Sequence, residues 1–131
     1  MEHETRLTVL IVDDSVVVRE RLRALLSEVE GVRVVGEAAG IREARTAVRA
    51  VRPDVVILDV RMPDGSGIDL LADLKREVTA PRVIVLTNYP HPQYRRRCLD
   101  AGAELFLDKS AEFHRVAEAL SGGATEEPCG P

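Results

Sequence analysis

Short apolar runs alternate with helical stripes along this chain. Five segments predict β-strands, namely LTVLIV (7–12), VRVVGEA (32–38), VVIL (55–58), RVIVLT (82–87) and ELFL (104–107). The first, third and fourth contain stretches that are apolar at every position, which is typical of strands covered on both faces of a parallel sheet. The second segment is more polar.

Between these strands, apolar residues recur every three or four positions, the spacing of helices that bury one face. They define five predicted helices. The apolar positions are Val18, Leu22, Leu25, Leu26 and Val29 in the first helix; Ile41, Ala44, Val48 and Val51 in the second; Leu71, Leu74 and Val78 in the third; Tyr94, Cys98 and Ala101 in the fourth; and Phe113, Val116, Ala117 and Leu120 in the fifth. Helix breakers follow at Gly31, Pro53, Ala80-Pro81, Gly102 and Gly122-Gly123. Ser66 and Asp69 form an S-x-x-D capping box before the third helix.

Five strands that alternate with five helices predict an α/β fold, with right-handed βαβ units around a five-stranded parallel sheet and helices on both faces. A chain of 131 residues has room for one domain with a proper core, which we expect to span residues 1–121. The remaining residues, 122–131, have the composition of a disordered C-terminal tail.

Polar side chains follow four of the five predicted strands. Asp13-Asp14 follows the first strand, Asp59 the third, and Lys109 the fifth, while Thr87 ends the fourth. Ligands of open α/β sheets bind at the carboxyl ends of the strands. We therefore expect these side chains to form one site.

Three carboxylates at neighbouring strand ends would repel one another by on the order of 4 kcal/mol per pair at about 4 Å and an effective dielectric constant near 20. Such a cluster needs a cation, and a small set of oxygen ligands suits Mg²⁺. A carboxylate beside Mg²⁺, with a lysine and a hydroxyl facing it, is the arrangement expected if Asp59 attacks phosphorus and holds an acyl phosphate. Lys109 and Thr87 would then stabilise the transferring phosphoryl group.

Composition and charge narrow the function further. The formal net charge of -4 argues against a phosphate backbone as the main partner. Of the 18 lysines and arginines, only Lys75 and Lys109 are lysines, which singles out Lys109. The two cysteines, Cys98 and Cys129, fit neither a disulfide framework nor a zinc site. With no signal-peptide pattern and no apolar span, the expected location is the cytoplasm.

The pattern DxxMPDGSG (59–67), after a strand, is specific. Together with Asp13-Asp14 upstream and Thr87 and Lys109 downstream, it resembles the receiver domain of the bacterial response-regulator family, over residues 7 to about 121. The resemblance implies a flavodoxin-like sheet with strand order 2-1-3-4-5.

The resemblance also implies roles for individual residues. Asp59 would be the phosphoacceptor. Asp14 would bind Mg²⁺ directly and Asp13 through water, with Asp59 and the backbone carbonyl of Arg61 as further ligands. Thr87 would be the switch hydroxyl and Lys109 the lysine that pairs with the phosphate. The rotamer of Phe106 would follow Thr87.

The chain departs from the family pattern after Lys109, where Ser110 replaces the usual proline. Without proline, a cis peptide bond costs about 2.5–4 kcal/mol, so we expect a trans bond here and Ser110 as a possible cap of the last helix. Arg61 and Tyr89 lie two residues after Asp59 and Thr87. Both are bulky, and our hypothesis is that they slow the entry of attacking water.

The predicted function is a stand-alone phosphorylation switch and not an enzyme. A histidine kinase or phosphotransfer protein would phosphorylate Asp59 and so alter the surface of the fourth helix, fifth strand and fifth helix. The residues after Leu120 are too few for a helix-turn-helix reader. Output would pass to a downstream protein partner, a homodimer or onward phosphotransfer, without direct contact with nucleic acid or membrane.

Other interpretations stay open. The chain could be the receiver half of a truncated DNA-binding regulator, an interaction module that no longer takes phosphate, or a phosphohydrolase with an aspartate nucleophile. A phosphohydrolase usually needs a carboxylate two residues after the nucleophile, where this chain has Arg61. Asp13 and Asp14 could simply cap a helix, Lys109 could be a surface lysine, and Phe106 could be core packing. Three arginines, Arg95, Arg96 and Arg97, are more typical of a solvated helix face.

Overall fold

A computed structural model of the protein describes residues 5–121, so the predicted tail at 122–131 lies outside the described residues. Within this range the elements, in chain order, are β1 (Leu7–Val12), α1 (Val16–Leu26), β2 (Val32–Ala38), α2 (Ile41–Val51), β3 (Val55–Leu58), β4 (Arg61–Met62), β5 (Gly65–Ser66), α3 (Gly67–Leu74), β6 (Arg82–Thr87), α4 (Pro92–Asp100), β7 (Leu105–Asp108) and α5 (Arg115–Leu120).

The main sheet has five parallel strands in the order β2-β1-β3-β6-β7. This confirms the predicted order, with the more polar second strand at the edge. Val12 of β1 lies opposite Leu58 of β3, and Leu58 lies opposite Val85 of β6. The carboxyl ends of the central strands are therefore aligned at one edge of the sheet.

Side chains of the central strands alternate between two cores. In β1, Leu10 and Val12 pack on the side covered by α2, α3 and α4, while Val9 and Ile11 pack on the side covered by α1 and α5. Burying one such side chain contributes about 1.5–3 kcal/mol. Because both faces of the sheet are covered, these strands are apolar at every position, as the sequence pattern indicates.

The ends of two helices differ from the prediction. Helix α1 begins at Val16, with Ser15 Oγ accepting from Val18 N, but it ends at Leu26 and does not continue to Gly31. Val29 still packs against the core, from the turn that follows. Helix α3 ends at Leu74, so the predicted continuation to Val78 was wrong, and that side chain is fully exposed.

The reason for the early end of α3 lies in its last turn. The backbone N–H groups of Arg76 and Glu77 bond to carbonyls three residues back, which tightens the chain into a turn. At the other end, Ser66 Oγ accepts from Ile68 N, one residue earlier than the capping-box pattern requires.

The segment between β7 and α5 also departs from the prediction. Ser110 does not cap α5, which begins only at Arg115, beyond the predicted Phe113. Instead, Ser110 N donates to Asp108 Oδ1, and Glu112 bonds to the backbone of Asp108 through both its N–H and its carboxylate. These bonds fold residues 108–112 into a local turn. The peptide bond before Ser110 is trans, as expected.

A small hairpin, formed by β4 and β5, was not predicted. The two strands pair antiparallel across Pro63 and Asp64. The carboxylate of Asp64 accepts from the backbone N–H groups of Ile41 and Arg42, at 2.7 and 3.1 Å, and so caps α2, whose own N-cap residue is Gly40. The MPDGSG segment thus connects the end of β3 to the start of α2.

Among the helices of residues 5–121, none has the length and apolarity needed to cross a bilayer.

Candidate functional site

Within the described part of the chain, the buried polar or charged side chains are Asp13, Asp59, Thr87 and Lys109, with exposed fractions of 2%, 5%, 0% and 8%. Sequence reasoning had placed these same residues at the ends of β1, β3, β6 and β7. Asp59 N donates to Val12 O at 3.0 Å, which joins the ends of β1 and β3. The sheet therefore gathers all four side chains at one edge.

Lys109 bridges two of the carboxylates. Its Nζ lies 2.7 Å from Asp13 Oδ2 and 2.9 Å from Asp59 Oδ2. Burial alone would lower the pKa of Lys109, but its hydrogen bonds to both carboxylates and the charges of those carboxylates outweigh burial, so the pKa is raised. Removing one partner of a buried ion pair costs about 3–5 kcal/mol, because an uncompensated charge remains. Lys109 is thus a fixed cation of the site and not a surface lysine.

Both the side chain and the backbone of Asp13 form hydrogen bonds. Its Oδ1 accepts from Ser15 N at 2.9 Å, its backbone N donates to Ala38 O, and its backbone carbonyl accepts from Arg19 Nη1 at 2.7 Å. Burial raises the pKa of Asp13, and the hydrogen bonds from Lys109 and Ser15 offset that effect only in part. One lysine does not neutralise two buried carboxylates.

Asp14 completes an acidic cluster. Its side chain is exposed. Asp13, Asp14 and Asp59 each place one carboxylate oxygen within 4.8 Å of the other two. Three oxygen donors, of which one faces solvent, fit a hard cation that keeps several waters, as Mg²⁺ does. The cluster also carries excess negative charge that a divalent cation would neutralise.

The backbone around Asp59 is tightly packed. Asp59 Oδ1 accepts from Arg61 N at 3.3 Å. A Cβ atom at Gly67 would come within 2.4 Å of the carbonyl oxygen of Asp59, so only glycine fits where α3 meets this strand end. The glycine that ends the DxxMPDGSG pattern therefore has a steric role beside the candidate phosphoacceptor.

Thr87 ends β6, and Phe106 lies in the neighbouring strand β7. Thr87 Oγ1 accepts from Tyr89 N at 3.1 Å, which leaves its proton as the one donor of the hydroxyl. Thr87 O accepts from Lys109 N at 2.8 Å. Phe106 is buried in the core shared with α4.

Arg61 and Tyr89 stack on each other. The guanidinium carbon of Arg61 lies 4.3 Å from the centroid of the Tyr89 ring, within cation–π range. The sequence places each residue two positions after a site residue but gives no sign of this contact. The role predicted for the Arg61 carbonyl as a metal ligand stays a prediction.

Sequence reasoning missed the contacts around Arg19 and Glu37. Arg19 contacts the backbone of Asp13 and also pairs with Glu37 near the end of β2, at 2.8 Å from Nε to Oε1. One signal was available, because Arg19 and Arg23 are four residues apart on α1 and Glu37 lies on the strand beside β1.

The fold and site define a class of protein, and the comparisons agree. The family model described as the response regulator receiver domain matches residues 9–121, so the chain belongs to this family. Its members are signalling switches that bind Mg²⁺ at an acidic pocket, and Asp13, Asp14 and Asp59 form an acidic cluster in this chain.

Among curated relatives, the chain is 40% identical over 112 residues to the DNA-binding transcriptional activator DevR/DosR of Mycobacterium tuberculosis, covering 86% of this chain and 52% of the relative. It is 37% identical over 123 residues to the virulence factors putative positive transcription regulator BvgA of Bordetella pertussis, covering 92% and 58%. The chain thus spans between half and three fifths of the length of these relatives. By their names, both relatives regulate transcription.

Solved receiver structures are also similar. The signal receiver domain of the putative response regulator NarL from Mycobacterium tuberculosis has a TM-score of 0.82 at 30% identity, covering 95% of this chain and 99% of that one. The isolated receiver domain of RcsB from Salmonella enterica, determined with the phosphomimetic BeF₃⁻, has a TM-score of 0.83 at 28% identity, covering 95% and 93%.

Proposed function

We propose that this protein is a phosphorylation switch in which Asp59 accepts a phosphoryl group from a histidine kinase or phosphotransfer protein. One observation carries the proposal: a buried lysine lies within hydrogen-bond distance of both Asp59 and Asp13, in a cluster whose third carboxylate faces solvent. That arrangement offers a nucleophilic oxygen, a fixed cation and an open side for the donor.

The residues have distinct tasks in this reaction. An oxygen of Asp59 attacks phosphorus, the bond from phosphorus to the donor's histidine nitrogen breaks, and its electron pair stays with the imidazole. Lys109 neutralises charge on the transferred group, and the Thr87 hydroxyl has a proton to donate to it. Mg²⁺, held by Asp13, Asp14, Asp59 and the Arg61 carbonyl, would supply further charge neutralisation.

The phosphorylated state would change a surface. Thr87 and Lys109 are joined to each other through their backbones, and Lys109 directly follows β7. A phosphoryl group that draws both side chains inward would bias α4, β7 and α5 toward a second arrangement. A protein partner or a second copy of the chain would bind one arrangement better than the other. We place this activity in the cytoplasm and assign the receiver to residues 1–121.

A second candidate is favoured by the comparisons. The chain covers 52% of a relative named as a DNA-binding transcriptional activator. The receiver would then be one part of a regulator whose DNA-binding part lies elsewhere. The chemistry at Asp59 is the same in both cases. Gel-shift measurements on the protein as its complete gene encodes it would distinguish direct DNA binding from output through a protein partner.

A phosphohydrolase is less well supported. The position two residues after Asp59 holds Arg61, whose side chain stacks on Tyr89 and offers no carboxylate as acid or base. Release of more than one phosphate per protein from a phosphate ester, dependent on Asp59, would favour an enzyme instead.

The test of the proposed function is intact mass after incubation with acetyl phosphate, with and without Mg²⁺. We expect one added phosphoryl group on the wild type that requires Mg²⁺ and is absent from Asp59→Asn. The exposed residue Asp100, at the end of α4, provides the control, and Asp100→Asn should be phosphorylated like the wild type. A wild type that gains neither this mass nor a Mg²⁺-dependent complex with BeF₃⁻ would contradict the proposal.

A further inference from the structure

The carbonyl of Asp13 has an unusual partner. Asp13 is almost fully buried, so its backbone oxygen needs a hydrogen-bond donor from the protein. That donor is Arg19 Nη1, 2.7 Å away and one turn into α1. The carbonyl belongs to the rigid, planar peptide unit that joins Asp13 to Asp14. A hydrogen bond to this oxygen therefore fixes the orientation of the backbone from which both carboxylates extend.

The guanidinium of Arg19 is itself held in place. Its Nε donates to Glu37 Oε1 at 2.8 Å, and the other carboxylate oxygen of Glu37 accepts from Arg23 Nε. Hydrogen bonds from Arg23 and Arg19 keep the pKa of Glu37 below its usual value, so Glu37 is ionised at neutral pH. The planar fork of Arg19 thus spans from the end of β2 to the backbone of Asp13.

Glu37 also controls charge near the acidic cluster. An unpaired guanidinium at the backbone of Asp13 would repel an incoming divalent cation. The carboxylate of Glu37, which is shared between Arg19 and Arg23, offsets part of that positive charge while leaving Arg19 Nη1 free to bond to the Asp13 carbonyl. The pair therefore orients the Asp13–Asp14 backbone without competing for the cation.

We propose that Arg19 and Glu37 are positioning residues that set the Mg²⁺ affinity of Asp13 and Asp14, and through it the rate at which Asp59 is phosphorylated. This inference rests on the proposed function. Neither residue touches the reacting atoms, so both act through the orientation of the Asp13–Asp14 peptide unit.

The chain supplies a matched control. Arg19 and Arg23 lie four residues apart on α1, and each bonds to Glu37 through Nε, but only Arg19 also reaches Asp13. The Arg19 side chain is 15% exposed and that of Arg23 is 51% exposed. Arg19→Ala and Arg23→Ala each remove one ion pair to Glu37, and only the first removes the hydrogen bond to the site.

The experiment is a Mg²⁺ titration followed by NMR chemical shifts, with phosphorylation rates by acetyl phosphate at low and saturating Mg²⁺. We expect Arg19→Ala to raise the Mg²⁺ dissociation constant about ten-fold, the lower end of the effect of outer-sphere contacts on metal affinity. Arg23→Ala should stay within about two-fold, since its contact is exposed. At saturating Mg²⁺, the rate of Arg19→Ala should recover toward the wild-type rate.

Two further variants complete the test. Arg19→Lys keeps the positive charge beside Glu37 but cannot span to the Asp13 carbonyl with a planar fork, so it should fold and still bind Mg²⁺ more weakly. Glu37→Gln leaves Arg19 without its countercharge and should weaken Mg²⁺ binding. The double variant Arg19→Ala/Glu37→Gln should bind Mg²⁺ about as weakly as Arg19→Ala alone, because the two residues act as one unit.

The outcomes separate the two proposals. A wild type that neither binds Mg²⁺ nor becomes phosphorylated would overturn the function and this inference with it. If the wild type does both, while Arg19→Lys binds Mg²⁺ as tightly as the wild type and Arg19→Ala matches Arg23→Ala, the positioning role is wrong and the switch function stands.

Discussion

Arg61 and Tyr89 are two side chains that we expect to affect the lifetime of a phosphoryl group on Asp59. Each lies two residues beyond a group of the site, at the same edge of the sheet, and the cation–π contact joins them. A contact of this kind at an exposed place is worth about 0.5–1 kcal/mol. The contact supports the hypothesis that the pair slows the entry of water to an acyl phosphate at Asp59, and it would be broken at modest cost.

We expect Arg61→Ala and Tyr89→Ala each to speed hydrolysis of the Asp59 acyl phosphate by about two- to five-fold, the factor that corresponds to loss of this contact. The measurement is the decay of phosphoprotein after removal of the donor. Tyr89→Phe keeps the ring and should decay at the wild-type rate. Unchanged decay in both alanine variants would show that the stack does not restrict water.

At the scale of secondary-structure elements, an ion pair away from the site joins two neighbouring strands. At the opposite edge of the sheet, the guanidinium of Arg82 at the start of β6 forms two hydrogen bonds with Glu104, just before β7, at 2.7 and 2.8 Å. The hydrogen bond from Arg82 holds the pKa of Glu104 below its usual value. This ion pair aligns the two strands whose carboxyl ends carry Thr87 and Lys109.

The pair gives a pH dependence with a definite sign. Because the pKa of Glu104 is lower in the folded than in the unfolded state, its stabilisation is present above the unfolded pKa and is lost as the pH falls through the folded pKa. At pH 7, Glu104→Gln should lower the free energy of unfolding by about 0.2–1 kcal/mol, the range for a partly exposed pair.

Urea denaturation over a pH series from 7 downward checks this prediction. The difference in unfolding free energy between the wild type and Glu104→Gln should shrink once the pH falls below the usual glutamate range. A difference that stays constant across the series would mean that the ion pair contributes nothing and that the substitution acts through packing.

An element could be predicted when its signal is local in the sequence, and it was missed when it depends on packing against distant residues. The central strands of the main sheet were evident because each contains a local apolar run, and the order of the sheet came with the family pattern. The ends of α1, α3 and α5 were missed because Val29, Val78 and Phe113 continue the helical spacing past each helix. Val29 and Phe113 pack against the core from turns, and Val78 packs against nothing. Spacing alone cannot separate these cases.

The residues of the candidate site could be predicted, but the contacts that support them could not. Asp13, Asp59, Thr87 and Lys109 each follow or end an apolar strand, and a polar or charged residue directly after an apolar run is easily recognised in the sequence. The roles of Arg19 and Glu37 were missed because both lie inside amphipathic segments where charges are ordinary. Their partners are also far away in sequence, so their roles emerge only when α1 and the end of β2 are brought together.

At the scale of the whole molecule, the proposed switch requires a connected path from the site to a surface. The backbone link between Thr87 and Lys109 joins the ends of β6 and β7, and Arg95 of α4 donates to the carbonyl of Phe106 in β7 at 3.4 Å. These contacts connect the site to α4 and β7. By contrast, α2 lies beside β2 and β1, away from this path.

We expect BeF₃⁻ with Mg²⁺ to change amide hydrogen exchange in residues 87–120, while α2 (Ile41–Val51) exchanges as before. The reason is that the analogue occupies the place of the phosphoryl group, which acts through Thr87 and Lys109. Hydrogen-exchange mass spectrometry checks this, with Asp59→Asn as the variant that should not respond. A change spread evenly over the sheet would indicate general stabilisation and not a switch.

The site draws its groups from most of the length of the chain, since its first aspartate is residue 13 and its lysine is residue 109. During synthesis, the acidic residues leave the ribosome long before Lys109 and β7 do. A growing chain, or one cut short before β7, carries the carboxylates without their fixed cation and without the last strand of the sheet. Because a domain of this kind folds as a unit, the proposed phosphoacceptor site would form only once β7 and Lys109 have been synthesised. A chain cut short before β7 would therefore lack a working switch.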